Sequence, residues 1–235
     1  MRSCLIQLVI LFAVAFCLLW FALPLGVGAL VTGALNASGF SGTDTKVEVS
    51  ASPPPLLLTG HADKVHITSS QVSISDLHAA SIDVILRDVD MLGRKIGTVS
   101  GTLDGVRVAA PNGDPVTIDE VVLDGSATAT TATARMNVAT AQALAESQLK
   151  TQTGVTAKVV LKSPNLVTIT VNGKSLSGRL LTSDGSLLVV PNGNTLPTVT
   201  LIAPGGGNPF RVTSVTIGLA NMTLVGTIDV QDLLT

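Results

Sequence analysis

The side chains that could carry out chemistry in this chain are few and widely spaced. The three histidines are His61, His66 and His78, and the two cysteines are Cys4 and Cys17. His61 and His66 are five positions apart in a stretch with strand character, so their side chains would point to opposite faces of a strand. No cysteine or regularly spaced carboxylate completes a zinc set with them. The sequence therefore predicts no metal site and no cofactor.

Two glycine-bearing stretches come closest to a catalytic or phosphate-binding motif. In Gly97–Gly101 the serine stands one position too late for a Gly-x-Ser-x-Gly elbow. The three glycines 205–207 are followed by a strand pattern, whereas a phosphate loop needs the N-terminus of a helix. Acidic residues such as Asp83 and Asp119 alternate with apolar ones, which is typical of a solvated strand face. We therefore expect no enzymatic activity.

The elements that would position any site are mainly strands. From Lys46 onward apolar residues alternate with polar ones, which is typical of strands with one buried face. Asn-Gly and Asp-Gly pairs can supply the positive φ of tight hairpins, which favours antiparallel neighbours. These pairs lie at 104–105, 112–113, 124–125, 172–173, 184–185 and 192–193. The Thr- and Ala-rich segment 125–134 is consistent with an edge strand or a disordered link, and we favour the strand.

One segment of the exported part has a helical period. In Asn137–Lys150, apolar residues recur every three or four positions, Asn137 can cap the start and Gly154 follows the end. The stretch Pro53–Gly60 fits either a short helix that begins at proline or a loop whose leucines cover a sheet. Strands, one helix and further strands predict an α+β domain with a helix against a mostly antiparallel sheet.

The N-terminus is strongly apolar. Arg2 is the only charged residue in Met1–Leu35, and the run Cys4–Leu23 is interrupted only by Gln7. This run is long enough to cross a hydrocarbon core of about 30 Å, and its length favours an uncleaved anchor. Small residues around Ala37 leave open a signal peptide at 1–37. In both cases Arg2 would stay inside, so residues 46–235 would be exported and either anchored to the cytoplasmic membrane or secreted to the periplasm or cell surface.

The composition limits the partners and the core. The net charge is −2 and charges of both signs are mixed, so no basic stripe is present for nucleic acid. Both cysteines lie in the apolar N-terminus, so the exported domain must be stabilised by packing. Hydrophobic residues make up 46% of the chain and aromatic residues 3%. This richness fits an apolar concave face that encloses a ligand or, as composition alone favours, a well-packed aliphatic core.

Several stretches in order resemble a known family. After the export segment come Pro55–Ile67 (PLLLTGHADKVHI) and Ile82–Val89 (IDVILRDV), and later the helix before Gly154 and Leu187–Pro191 (LLVVP). This order resembles the LmeA-like phospholipid-binding family of bacterial envelope proteins over roughly residues 47–230. The chain departs from the family at Pro204–Pro209, where extra glycines stand near the usual proline-glycine signal.

The resemblance implies a tubular lipid-binding fold, in which a curled antiparallel sheet wraps around one amphipathic helix. It implies binding of membrane phospholipid in an apolar groove and a role in maintaining the cell envelope. The alternative is a non-catalytic β-rich interaction or structural module at the membrane surface. The groove residues that follow from the resemblance are Leu56, Leu57, Leu58, Ile82, Val84, Leu86, Val138, Leu144, Leu149, Val167, Ile169 and Val171.

Overall fold

The structure is a computed structural model that describes residues 32–33, 40–74, 77–109, 115–193, 196–204 and 210–231. The predicted anchor or signal peptide at 1–37 lies outside these residues, apart from Thr32 and Gly33. Among the helices of the described ranges, none is long and apolar enough to cross a membrane.

The described residues form thirteen strands, one α-helix and one 3₁₀ helix. The first six strands are β1 Phe40–Ser50, β2 His61–Ile74, β3 Leu77–Asp90, β4 Thr98–Ala109, β5 Pro115–Ser126 and β6 Ala129–Asn137. The helix α1 is Val138–Thr153, and the 3₁₀ helix is Pro54–Thr59. The remaining strands are β7 Lys158–Lys162, β8 Leu166–Val171, β9 Lys174–Ser183, β10 Ser186–Pro191, β11 Val199–Ile202, β12 Arg211–Ile217 and β13 Asn221–Ile228.

The strands form two sheets with antiparallel neighbours throughout. The first sheet has eight strands in the order β1-β2-β3-β4-β5-β6-β13-β12 and curls into a half-barrel. The second has five strands in the order β11-β10-β9-β8-β7, and β12 of the first sheet contacts its strands β9 and β10. The predicted mostly antiparallel sheet and single α-helix are confirmed, but the chain builds two sheets because residues 158–202 pair among themselves before β12 and β13 return to β6.

Helix α1 forms where its period and caps predict. The Asn137 side chain accepts a hydrogen bond from the backbone N–H of Ala139 at 2.8 Å, and Gly154 ends the helix in the left-handed region at φ 70°. The helix packs mainly against β7 and β11, the two edge strands of the second sheet, and also contacts β5, β6 and β13. It therefore covers only one end of the curled sheet.

Two side chains of α1 hydrogen-bond to those sheet edges. Gln152 donates to the carbonyl of Thr200 on β11 at 2.6 Å and accepts from the Thr200 N–H at 3.1 Å. Glu146 accepts from the N–H of Val159 on β7 at 2.8 Å. Unpaired strand edges invite pairing with another chain, so these bonds close both edges of the small sheet.

Turn chemistry predicts only some of the hairpins. Asn172-Gly173 and Asp184-Gly185 form two-residue hairpin turns with positive φ at both positions, as predicted. Asp104-Gly105 and Asp124-Gly125 lie inside β4 and β5 instead, so the prediction of turns at these pairs is wrong. The pairing of long strands on both sides outweighs the local preference for a turn. The segment 125–134 contributes to β5 and β6, and β6 is an interior strand between β5 and β13 rather than an edge.

Candidate functional site

The inner face of the eight-stranded sheet carries an extended apolar surface. Residues opposite one another in the register share a face. A middle row runs across the sheet from Val47 through Ile67, Val84, Gly101 and Leu123. On the next strands the row continues with the small residues Ala132 and Gly226.

Two parallel rows flank the middle row. One contains Val49, Val65, Leu86 and Val99, and the other contains Ser69, Ile82, Leu103 and Val121. Every residue of the three rows on β1 to β5 is apolar except Ser69. The opposite face of the same strands carries polar pairs such as Thr68 with Asp83 and Asp104 with Glu120. The alternation seen in the sequence therefore produces one apolar and one polar face.

The centre of the inner face is only partly covered. Ile67, Val84 and Leu123 of the middle row are half-buried, and so are Leu86, Ile82 and Leu103 of the flanking rows. In the same middle row Ala132 is 1% exposed, and its partner Gly226 lies under the ring of Phe210. A ligand could therefore reach the β2–β5 part without any change in the packed core.

Small apolar clusters close this face at both ends. At one end Leu57 of the 3₁₀ helix packs with Val49, Ala62, Val65 and Val89. At the other end Phe40 packs with Val72, Ala79 and Val106. The half-buried residues between the two clusters form a surface that we call the trough. The two clusters, which we call plugs, bound it at the two ends of the strands.

The other apolar region is a sealed core between α1, the second sheet and strands β6, β12 and β13. Leu149, Ile169, Leu180, Leu187 and Val189 are all 0% exposed. Phe210 lies directly over Gly226, where any side chain would collide with its ring. This region is packed and leaves no route for a ligand to its interior side chains.

The twelve groove residues predicted from the resemblance do not form one surface. Those that lie in the trough are Ile82, Val84 and Leu86. Those that lie in the sealed core are Leu149, Val167 and Ile169, and Val138 and Val171 are packed against it. Leu144 is half-buried on the helix. Leu56, Leu57 and Leu58 belong to the 3₁₀ helix, where Leu57 is 5% exposed and Leu58 is 67% exposed. Contact of any of them with lipid stays a prediction.

Sequence reasoning missed three central trough residues, Ile67, Leu103 and Leu123. Ile67 and Leu103 alternate with polar neighbours, so their signal was present in the sequence, whereas Leu123 follows the apolar Val122 and only Asp124 on its other side is polar. Their membership in one trough depends on the register of β2, β4 and β5 against β3, which the pattern alone does not give.

The polar outer face holds the nearest approach to a catalytic cluster. Nε2 of His66 lies 2.8 Å from Oδ1 of Asp83, and its Nδ1 lies 3.9 Å from a carboxylate oxygen of Glu48. The hydroxyl of Ser81 donates to Asp104 at 2.8 Å rather than to the histidine. Ser81, Asp83 and Asp104 border an open polar hollow of about 400 Å³. A histidine with two carboxylates and no nucleophile in its hydrogen-bond set lacks the Ser-His-Asp arrangement.

The outer face offers no metal centre either. His61 is paired with Asp63 at 3.4 Å, apart from the His66 group. No group of three or more His, Cys, Asp or Glu side chains among the described residues could hold a metal ion.

No family model, curated protein or solved structure matches this chain. The resemblance to the LmeA-like family therefore stays a prediction.

Proposed function

We propose that this protein binds the acyl chains of membrane phospholipid in the trough on the inner face of β1–β5, outside the cytoplasm. The observation that supports the proposal is a set of half-buried aliphatic side chains on adjacent strands, centred on Ile67, Val84 and Leu123 of the middle row and flanked by Leu86, Ile82 and Leu103. Apolar surface left half-covered beside a fully sealed core is typical of a ligand site.

The dimensions of the trough suit a single acyl chain. The rows cross five strands, and four spacings of about 4.8 Å give a width of about 19 Å. One leaflet of hydrocarbon is about 15 Å thick, half of the bilayer core. Each methylene that leaves water for the trough contributes about 0.8 kcal/mol, so a chain lying along the rows, across the strands, would bind without any polar contact to its tail.

On this proposal the two sheets and the helix form a tubular lipid-binding domain, as the resemblance to the LmeA-like family implies. The apolar segment Met1–Leu35 would hold the domain at the membrane or direct its export. The protein would hold or carry phospholipid in the maintenance of the cell envelope, with no catalytic step.

The test is photo-crosslinking with a phospholipid that carries a diazirine on its acyl chain. The full-length protein is labelled in membranes, and the modified residues are identified by peptide mass spectrometry. We expect label on the inner-face residues Val84, Leu103 and Leu123. Label confined to Met1–Leu35 would reflect the apolar N-terminus alone and would contradict the proposal, leaving the interaction module as the better interpretation.

Two neighbouring residues on β5 provide a matched pair. Leu123 faces the trough, whereas Val122 faces outward with 37% of its surface exposed. Leu123→Ser should reduce crosslinking to β3 and β4 severalfold, because it removes apolar surface from the middle row. Val122→Ser should leave it unchanged. Equal effects of the two variants would show that the label does not report on the trough.

A further inference from the structure

An exposed apolar tip stands at the end of the eight-stranded sheet where the 3₁₀ helix meets the β3–β4 turn. Leu58 is 67% exposed and Leu92 is 79% exposed. Leu92 packs directly over Gly60, two residues after Leu58, so both leucines stand at the same end of the sheet. The backbone N–H of Met91 also donates to the carbonyl of Gly60 at 2.8 Å, so the turn is fixed to the end of the 3₁₀ helix.

Glycine at position 60 makes this contact possible. Gly60 has φ 78°, in the left-handed region, and a Cβ there would lie 2.7 Å from Cγ of Leu92. Below the tip, Leu57 and Met91 pack into the apolar plug at the end of the trough. The two leucines thus stand on a packed base and leave most of their own surface in solvent.

The turn that carries Leu92 also carries two exposed cations, Arg94 and Lys95. Two nearby carboxylates, those of Asp90 and Asp63, have hydrogen-bond partners of their own, and that of Asp63 also lies 3.4 Å from Nε2 of His61. Asp90 accepts from the N–H groups of Leu92 and Gly93 at 3.1 and 2.8 Å, and Asp63 accepts from the N–H of Ser52 at 2.6 Å. Exposed leucines flanked by basic side chains are the combination that binds an anionic lipid surface.

We infer that the tip formed by Leu58, Leu92, Arg94 and Lys95 docks on the surface of a phospholipid bilayer that contains anionic lipid. The leucines would enter the headgroup boundary and the two cations would contact phosphate groups. The tip lies outside the trough, so it can dock on a bilayer even if the trough binds no acyl chain.

The tip lies far from the point where the N-terminal segment joins the domain. Phe40 pairs with Ile74 at one end of β2, while Gly60 precedes its other end. Strand β2 has 14 residues, which at a rise of about 3.3 Å each extend over about 45 Å. Docking by the tip is therefore separable in an experiment from insertion of Met1–Leu35.

The test uses the full-length protein held by its N-terminus in nanodiscs of phosphatidylcholine. These are mixed with vesicles that contain phosphatidylglycerol, and co-flotation of the protein with the vesicles is measured. We expect the wild-type protein to float, and Leu58→Ser with Leu92→Ser to weaken vesicle binding about tenfold or more, because each leucine loses its burial in the interface. Arg94→Gln and Lys95→Gln should each weaken it about fivefold, and less so at high salt.

A matched control is Leu219→Ser. Leu219 is the most exposed leucine of the described residues and lies in the β12–β13 turn, beside the start of α1 and away from the tip. Its replacement should leave flotation unchanged. A wild-type protein that does not float, or a double leucine variant that floats as well as wild type, would overturn the inference. Self-association lost in the double variant, without vesicle binding, would assign the tip to a contact between copies of the chain instead.

Failure of docking by the tip can be distinguished from failure of acyl-chain binding in the trough. Crosslinks in the trough with no flotation would refute the tip alone, and flotation with no trough crosslinks would refute acyl binding alone.

Discussion

The sealed core and the trough are both lined mainly by aliphatic residues on antiparallel strands. In the core, Leu149 and Ile169 have no exposed surface, while in the trough Val84 and Leu123 are half-buried. The middle row links the two, since it runs from the half-buried Ile67 in the trough to the buried Ala132 on β6. Burial therefore depends on what covers the row. Only the covered end contributes its full apolar surface to the stability of the fold.

The largest effect should come from a charge placed in each region. Ile169→Glu buries an unpaired carboxylate in the sealed core and should lower the free energy of unfolding by about 4 kcal/mol or more, enough to unfold the domain. Val84→Glu in the trough can keep its carboxylate hydrated, so the fold should survive while acyl crosslinking is lost. Circular dichroism melting of both variants is the measurement. Complete unfolding by Val84→Glu would mean that the trough is a closed core.

Shortening one side chain in each region should produce a smaller difference in stability between the core and the trough than adding a charge does. Leu149→Ala leaves a cavity and should cost about 3 kcal/mol, whereas Leu123→Ala should cost about 1 kcal/mol because its side chain is already half-exposed. Urea unfolding at constant m-value would give both numbers. Equal losses would contradict the distinction between the two regions.

The trough also depends on a close approach of β3 and β4. A Cβ on Gly101 would lie 2.8 Å from the Cα of Val84 and would also collide with the carbonyl of Asp83. Gly101→Ala should therefore destabilise the domain by about 2 kcal/mol through forced separation of the strands. Gly173→Ala is a comparison without a steric clash, since nothing lies within 4 Å of its Cβ position, although its φ of 78° adds backbone strain. Hydrogen exchange should show increased opening of β3 and β4 only for Gly101→Ala.

The edge bonds of α1 should matter less. Gln152→Ala removes both hydrogen bonds to Thr200 and its donation to Oε1 of Gln148, and it should cost about 1 kcal/mol, since water can replace the exposed bonds to Thr200. The sealed core should stay intact, with faster exchange confined to the amide of Thr200. The matched variant Lys150→Ala, on the exposed side of the helix, should change neither quantity.

The smallest effect is expected on the polar face. Replacement of His61, His66 and His78 by Asn removes the contacts of His66 with Asp83 and Glu48, which are exposed to solvent and worth under about 1 kcal/mol. Acyl crosslinking should be unchanged. A large loss of function in this folded variant would contradict the non-catalytic interpretation.

The sequence by itself determined the local elements. Asn137 and Gly154 fixed both ends of the helix, and period-two alternation placed the strands and their apolar faces. Asn172-Gly173 and Asp184-Gly185 fixed two hairpins. These features depend on contacts within a few residues, so a local pattern is sufficient to predict them.

Only the tertiary structure decided which apolar face is sealed. Ile169 on β8 and Val84 on β3 have the same alternating pattern, yet one is in the core and the other in the trough. The same holds for Leu58 and Leu92, which lie 34 positions apart in the sequence and reach the same end of the sheet where Leu92 packs over Gly60. Burial of an apolar residue depends on the elements that pack over it, and long-range pairing such as that of β6 with β13 sets their position.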